Sequence, residues 1–215
     1  MCWSKNVSLS MGIFGLVTAY VTYFKIEKLW AFNIFFFAIM QFIHWLGYLV
    51  INDCKNPLNK AMSYANYLHV SFQPFVYLLG FYGLFKKYNI LTKTQLTSLK
   101  FSYKFAFIIS ILLVIRLIPF NLNKNFNYPL EKKNCFLCGD TCSFYGKKHI
   151  SFSLPLRTKP EYLTPSIFVH FAFWFIPFIF LLNAKTSLIG LFILVTAMIP
   201  CILYGLTPEE GSTNM

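Results

Sequence analysis

Four histidines and six cysteines are the residues in this chain whose types and spacing could do chemistry. His44, His69 and His170 each stand inside a long apolar stretch. Gln41, His44 and Tyr48 fall at i, i+3 and i+7, so one helix face would carry all three. Asn66, His69, Gln73 and Tyr77 repeat that kind of spacing, and Ser166 and His170 lie a turn apart with Trp174 a turn further on. Three neutral imidazoles at one depth would suit a transition metal such as zinc, which could then activate a water. The same groups could instead relay a proton, bind a small molecule or lipid, or hydrogen-bond between helices, where each contact contributes about 0.6–2 kcal/mol. No HxxxH or HxxEH pair is present, and the nearest carboxylates, Asp53 and Glu161, lie just outside the apolar stretches. That weakens a hydrolase reading and leaves enzymatic activity open.

The cysteines offer a second chemistry. Cys135-x2-Cys138-x3-Cys142 has a spacing used for redox exchange and for metal binding. A zinc site would need a fourth ligand, for which His149 and Cys54 are candidates. A redox-active pair favours a helix N-terminus that lowers the thiol pKa, but Gly139 and Asp140 follow Cys138 and favour a turn. Disulfides that staple this segment to itself or to Cys54 are the remaining reading, with 15 connectivities open to six cysteines. Cys2 could be a ligand or nucleophile if Met1 is removed, and otherwise half of a disulfide.

The elements that must position these groups are membrane helices. The chain is 57% hydrophobic and only 12% charged, about half the charged fraction of a soluble domain. Several apolar runs reach the roughly 20 residues that cross a bilayer. They are continuous rather than alternating, which argues against a β-barrel. The expected fold is an all-α polytopic bundle, one integral domain over 1–215, with about six spans at 8–24, 29–51, 61–85, 100–119, 163–182 and 187–205. A long cysteine-containing loop, 121–162, separates the fourth span from the fifth. Pro57 disfavours helix at the residue before it, Pro74 and Pro177 are expected to kink their spans, and residues 92–98 read as an amphipathic lead-in to the fourth. The first apolar run reads as a retained signal anchor. The chain has no P-loop, GxGxxG or GxSxG motif, and no lysine in the last span for a retinal Schiff base.

Six spans put both termini, the loop after span 2 and the 121–162 loop on one side, and every cysteine gathers there. The three span histidines lie seven to nine residues in from that side, roughly 10–13 Å deep at the helical rise. Ionisable groups inside a span point by default toward a partner or a cavity. The expected site is a polar cavity lined by His44, His69 and His170, with Gln41, Asn66, Gln73, Tyr48, Tyr77 and Arg116 around it. The net charge of +12 sits between spans rather than in a soluble basic stripe, so the expected partners are the lipid bilayer and a small molecule or lipid, not nucleic acid. Lys25, Lys28, Lys86, Lys87, Lys93, Lys100, Lys104 and Lys185 stand on the face opposite the cysteines, where the loops are shorter and the basic density is higher. The positive-inside rule then makes the cysteine side exoplasmic, and clustered cysteines fit an oxidising compartment.

Several local motifs carry a likeness. They are Met1-Cys2-Trp3-Ser4, Cys54-x2-Pro57-Leu58-Asn59, His69-x3-Gln73-Pro74, Gly146-x2-His149-Ile150, Pro155-Leu156 and Pro165-Ser166-x3-His170. In these the chain resembles an uncharacterised family of small multi-pass membrane proteins, a domain of unknown function found in microbial and large-virus genomes. The resemblance implies a compact helical membrane fold and no particular activity. Three functions therefore stand side by side: a metal- or small-molecule-binding protein, possible as an enzyme, built on the histidine cavity; a thiol–disulfide redox protein using Cys135 and Cys138; and a transporter, receptor or structural membrane protein.

Overall fold

The computed structural model describes residues 4–118, 140–145 and 150–156. Within them run four helices, α1 (Lys5–Lys25), α2 (Lys28–Leu49), α3 (Pro57–Lys87) and α4 (Lys93–Ile115), followed by two strands, β1 (Cys142–Tyr145) and β2 (Ile150–Ser153). All four helices are long and apolar enough to cross a membrane. The first four expected spans therefore exist as helices, whereas the fifth and sixth, 163–182 and 187–205, lie outside the described residues.

Local chemistry sets most of the boundaries. Only Ile26 and Glu27 separate α1 from α2, so the two helices must fold back antiparallel. Glu27 caps α2 by accepting the Trp30 backbone N–H at 2.7 Å. Asn56 stays extended before Pro57, as the proline requires, and its side chain accepts the Leu58 N–H at 2.9 Å. Pro57 then occupies the first helical turn, where its missing N–H is not needed. Two corrections to the expected ends follow. The third helix starts four residues before Ala61, because Asn56-Pro57 is a start signal as well as a stop. The 92–98 stretch is no separate lead-in but the first turns of α4, nucleated by a capping box in which the Thr92 and Gln95 side chains each take the other's backbone N–H. That helix ends at Ile115, with Arg116 as its C-cap, short of the expected 119. Helix α3 runs through Pro74 without interruption.

Packing follows from which faces carry small residues. The buried residues of α1 are Ser8, Gly12, Ala19 and Thr22, a stripe that lets its backbone close on α2. A Cβ on Gly15 would come within 2.8 Å of the Ala38 Cβ. Close approach over small residues is the manner in which apolar helices associate when no hydrophobic gain drives them together. The opposite face of α1 is bare: Phe14 is 67% and Tyr20 69% exposed. Helix α3 is the most buried element and takes α2 on one side and α4 on the other. Two cores result. One, at the α3–α4 turn end, joins Tyr77, Leu78, Phe81, Phe85, Leu99 and Ala106. The other joins Tyr67 and Val70 to Phe152, Leu154 and Leu156 of the strand segment.

That strand segment is the main departure from an all-α reading. Within the stretch expected as loop, β1 and β2 pair antiparallel with Cys142 opposite Ser153 and Tyr145 opposite Ile150. The sequence Ile150-Ser151-Phe152-Ser153-Leu154 alternates apolar and polar, the period of a strand. The apolar set of this alternation, Ile150, Phe152 and Leu154, is buried.

Replacing Gly15 by leucine should separate α1 from α2, since the added side chain meets Ala38 backbone as well as its Cβ. The expected loss is about 1–3 kcal/mol, read as a lower melting temperature of the detergent-purified chain. Leucine at the exposed Val17 should leave the melt unchanged.

Candidate functional site: a polar seam between the second and third helices

Antiparallel packing turns the two predicted polar stripes toward each other. Asn33 of α2 faces Gly80 of α3, Met40 faces Gln73, and the His44 ring faces the Asn66 amide. Asn59, Ser63, Asn66, His69, Gln73 and Tyr77 run along α3 at steps of three or four, all of them buried. The seam thus extends over most of the helix.

His69 is fully engaged within the helix pair. Its Nε2 lies 2.7 Å from the carbonyl of Phe36. A carbonyl only accepts, so Nε2 carries the proton. Its Nδ1 then accepts from the Gln73 amide at 3.2 Å. The ring also stacks on Phe36 with centroids 3.9 Å apart. A histidine with both nitrogens committed has no lone pair left for a metal in this arrangement. Among the described residues no group of three His, Cys, Asp or Glu side chains could hold a metal ion.

The pair beside it is different. Asn66 is 1% exposed. Its side chain stands within hydrogen-bonding reach of His44, but neither amide atom has a partner at full hydrogen-bond geometry, and the Gln41 Oε1 has none either. His44 is itself buried and lies near His69. The Asn66 carboxamide, with two donor hydrogens and an acceptor oxygen, therefore keeps hydrogen-bonding capacity beside the His44 ring. The structure brings together His44, Asn66, His69 and Gln73 of the expected set, and Gln41 lies one turn before His44 on α2. It does not bring Tyr48, whose ring instead approaches Tyr145 of β1 at 6.3 Å. Tyr77 packs in the far core against Phe81, and Arg116 caps α4 near Tyr67. His170, His149, Cys2, Cys135 and Cys138 lie outside the described residues.

At the end of the seam near the α2–α3 turn sits a clamp that the spacing argument missed. Asn59, fully buried, donates to the carbonyls of Val50 at 2.7 Å and Ser143 at 2.8 Å, and accepts the Ser143 N–H at 2.7 Å. Its carboxamide acts toward β1 as a neighbouring strand would. The Ser63 hydroxyl gives its proton to the Asn59 carbonyl at 3.0 Å and so accepts from the Ser143 hydroxyl at 2.8 Å. Asn52, held at a positive φ of 65°, adds its N–H to the Ser143 carbonyl and its Oδ1 to the Tyr145 N–H. A disulfide between Cys54 and Cys142 closes the joint across 88 residues of sequence. The pairing realises the staple to Cys54 foreseen among the alternatives. In this state neither Cys54 nor Cys142 can complete a zinc site. The missed signal was in the sequence: Asn59 and Ser63 extend the stripe that begins at Asn66, by steps of four and three.

Asn59→Ala should remove the acceptor of one N–H and one of the donors to each of two carbonyls, and cost on the order of 3 kcal/mol. Melting of the purified chain and protease cleavage within 140–156 would both register the loosened hairpin. Asn59→Asp should not restore it, because a carboxylate would face two carbonyl oxygens.

Comparison with curated proteins and with solved structures gives no match. A family model described as a family of unknown function (DUF5765) matches residues 6–212. The match covers both helices of the seam and the clamped hairpin, and it agrees with the expectation of an uncharacterised family. The chain belongs to this family of unknown function, DUF5765.

Proposed function

We propose that the chain is an integral, multi-pass membrane protein of about six spans that binds a small polar molecule in the α2–α3 seam, at His44, Asn66 and Gln41. The observation that carries this reading is the state of Asn66: 1% exposed, with the His44 ring beside it and neither amide atom in a fully formed hydrogen bond. A buried amide without partners is costly, and an unsatisfied group in a native interior calls for a specific explanation. Polar residues that merely glue helices together are bonded, as His69 and Gln73 are. Two carboxamides and an imidazole suit an uncharged group that both donates and accepts, such as a hydroxyl or a carbonyl-bearing headgroup. The engagement of both His69 nitrogens favours such a molecule over a metal ion.

The membrane reading draws support from the four long apolar helices and from the bare aromatic face of α1. Orientation rests on two features at opposite ends of the bundle. The Cys54–Cys142 disulfide favours an oxidising compartment for the hairpin end. Lys25, Lys28, Lys86, Lys87 and Lys93 support a cytosolic reading of the other end.

Asn66→Leu tests the site. Exchanging this amide for an apolar group of similar size should raise stability by about 1–3 kcal/mol and eliminate binding. Small molecules extracted from denatured wild-type protein and identified by mass spectrometry should include a species missing from the variant. Identical extracts from both proteins would sink the proposal, and stoichiometric zinc in the wild type would replace the ligand by a metal. Orientation is checked with a membrane-impermeant maleimide. A cysteine placed at Asn89 should react only after the membrane is permeabilised. Labelling of intact cells there would reverse the assignment.

A further inference from the structure

Helix α4 divides cleanly into two faces. Leu99, Ser102, Ala106, Ile109, Ser110 and Leu113 are buried and fall on one side at the helical period. The other side is open along its whole length, and it changes character part-way. Its first three turns present Lys93, Lys100 and Lys104, at i, i+7 and i+11, all exposed. Beyond and between them come Phe101, 70% exposed, then Phe105, Ile108 and Ile111. A shallow cleft of about 330 Å³ opens at the start of this face, lined by Lys93, Thr94, Thr97 and Ser98.

Three other lysines at this end have partners nearby. Lys87 donates to the Ile26 carbonyl, Lys86 lies over the Tyr82 ring and Lys28 over the Tyr23 ring. Among the described residues Lys93, Lys100 and Lys104 have none. Glu27 is the only acid within or between the four helices at this end, and it is occupied in capping α2. Three uncompensated positive charges therefore stand in a row above an exposed aromatic and aliphatic track.

We propose that this face of α4 binds an anionic phospholipid, with the headgroup phosphate among Lys93, Lys100, Lys104 and the Thr94 cleft, and the acyl chains along Phe101, Phe105 and Ile108. The inference rests on the membrane reading above. Charge complementarity selects the occupant: lysines close to a bilayer surface attract acidic headgroups, and long lysine stems can lie on apolar surface while the ammonium stays at the interface. A protein partner would have to cover both the charged and the aromatic halves, whereas a lipid has that polarity along its own length.

The test uses the full chain in detergent, melted with added phosphatidylglycerol or phosphatidylcholine. Phosphatidylglycerol should raise the melting temperature by about 3 °C or more over phosphatidylcholine, and the difference should shrink in about 0.5 M NaCl. The combined Lys93→Gln, Lys100→Gln, Lys104→Gln variant should lose the difference, while the Lys→Arg version of the same three positions keeps it. Gln replacements at Lys25, Lys28 and Lys86 should also leave it intact. An equal shift with phosphatidylcholine, a shift that survives the α4 variant, or the full shift from soluble glycerol phosphate would each overturn the proposal. Alkaline carbonate extraction of the chain from membranes is the separate check: release into the supernatant would refute the membrane reading itself.

Discussion

A single buried carboxamide joins the two parts of this molecule. Asn59 sits where α3 begins and where the hairpin returns to the helices, and it bonds to both. Among the described residues β1 has no neighbouring strand on that side, so without Asn59 the Ser143 N–H would be buried without a partner and its carbonyl would keep only the Asn52 N–H. Burial of unpaired backbone groups is what folded chains avoid most consistently. The disulfide alone could hold Cys142 near Cys54, but it leaves rotation about the bridge. The Asn59 and Ser63 bonds remove that freedom and fix which face of the hairpin meets α3. With the face fixed, Phe152 and Leu154 reach the core beside Tyr67 and Val70.

The same helix carries a second constraint along its length. A helix that is otherwise apolar gains little from presenting amides and imidazoles to its neighbours unless each finds a partner. His69 and Gln73 satisfy this by bonding to each other and to α2. Asn66 does not. The contrast between adjacent turns of one helix separates packing from a candidate site more sharply than residue type does. Glycine makes the close approach possible. Gly80 admits Asn33, and Gly83 admits the Glu27 carboxylate, positions where any side chain on α3 would collide.

Helix positions were legible in the sequence because apolar length and caps are local properties. The Asn56-Pro57 start and the Thr92–Gln95 capping box can be read from neighbouring residues. The polar start of α4 was harder, since hydropathy sees lysines and threonines and not the box they surround. The pairing of the His44 stripe with the His69 stripe was half legible. Spacing put each set on one face, but whether Tyr48 belonged to the seam depended on where the hairpin lay. Tyr48 is one turn beyond His44, and that turn is already level with Tyr145.

The sequence by itself determined the apolar helices, the residues along each polar face and the presence of cysteines near a turn, because each of these follows from steps of a few residues along one chain. Only the tertiary structure decided that Cys54 pairs with Cys142, that Asn59 serves as a strand's partner, and that both His69 nitrogens are bonded while the Asn66 amide lacks a fully formed bond. These depend on groups brought together across 88, 84 and 33 residues of chain. Periodicity fixes which way a side chain points. It carries no information about which distant atom waits there, and that atom settles whether a buried amide is glue or a site.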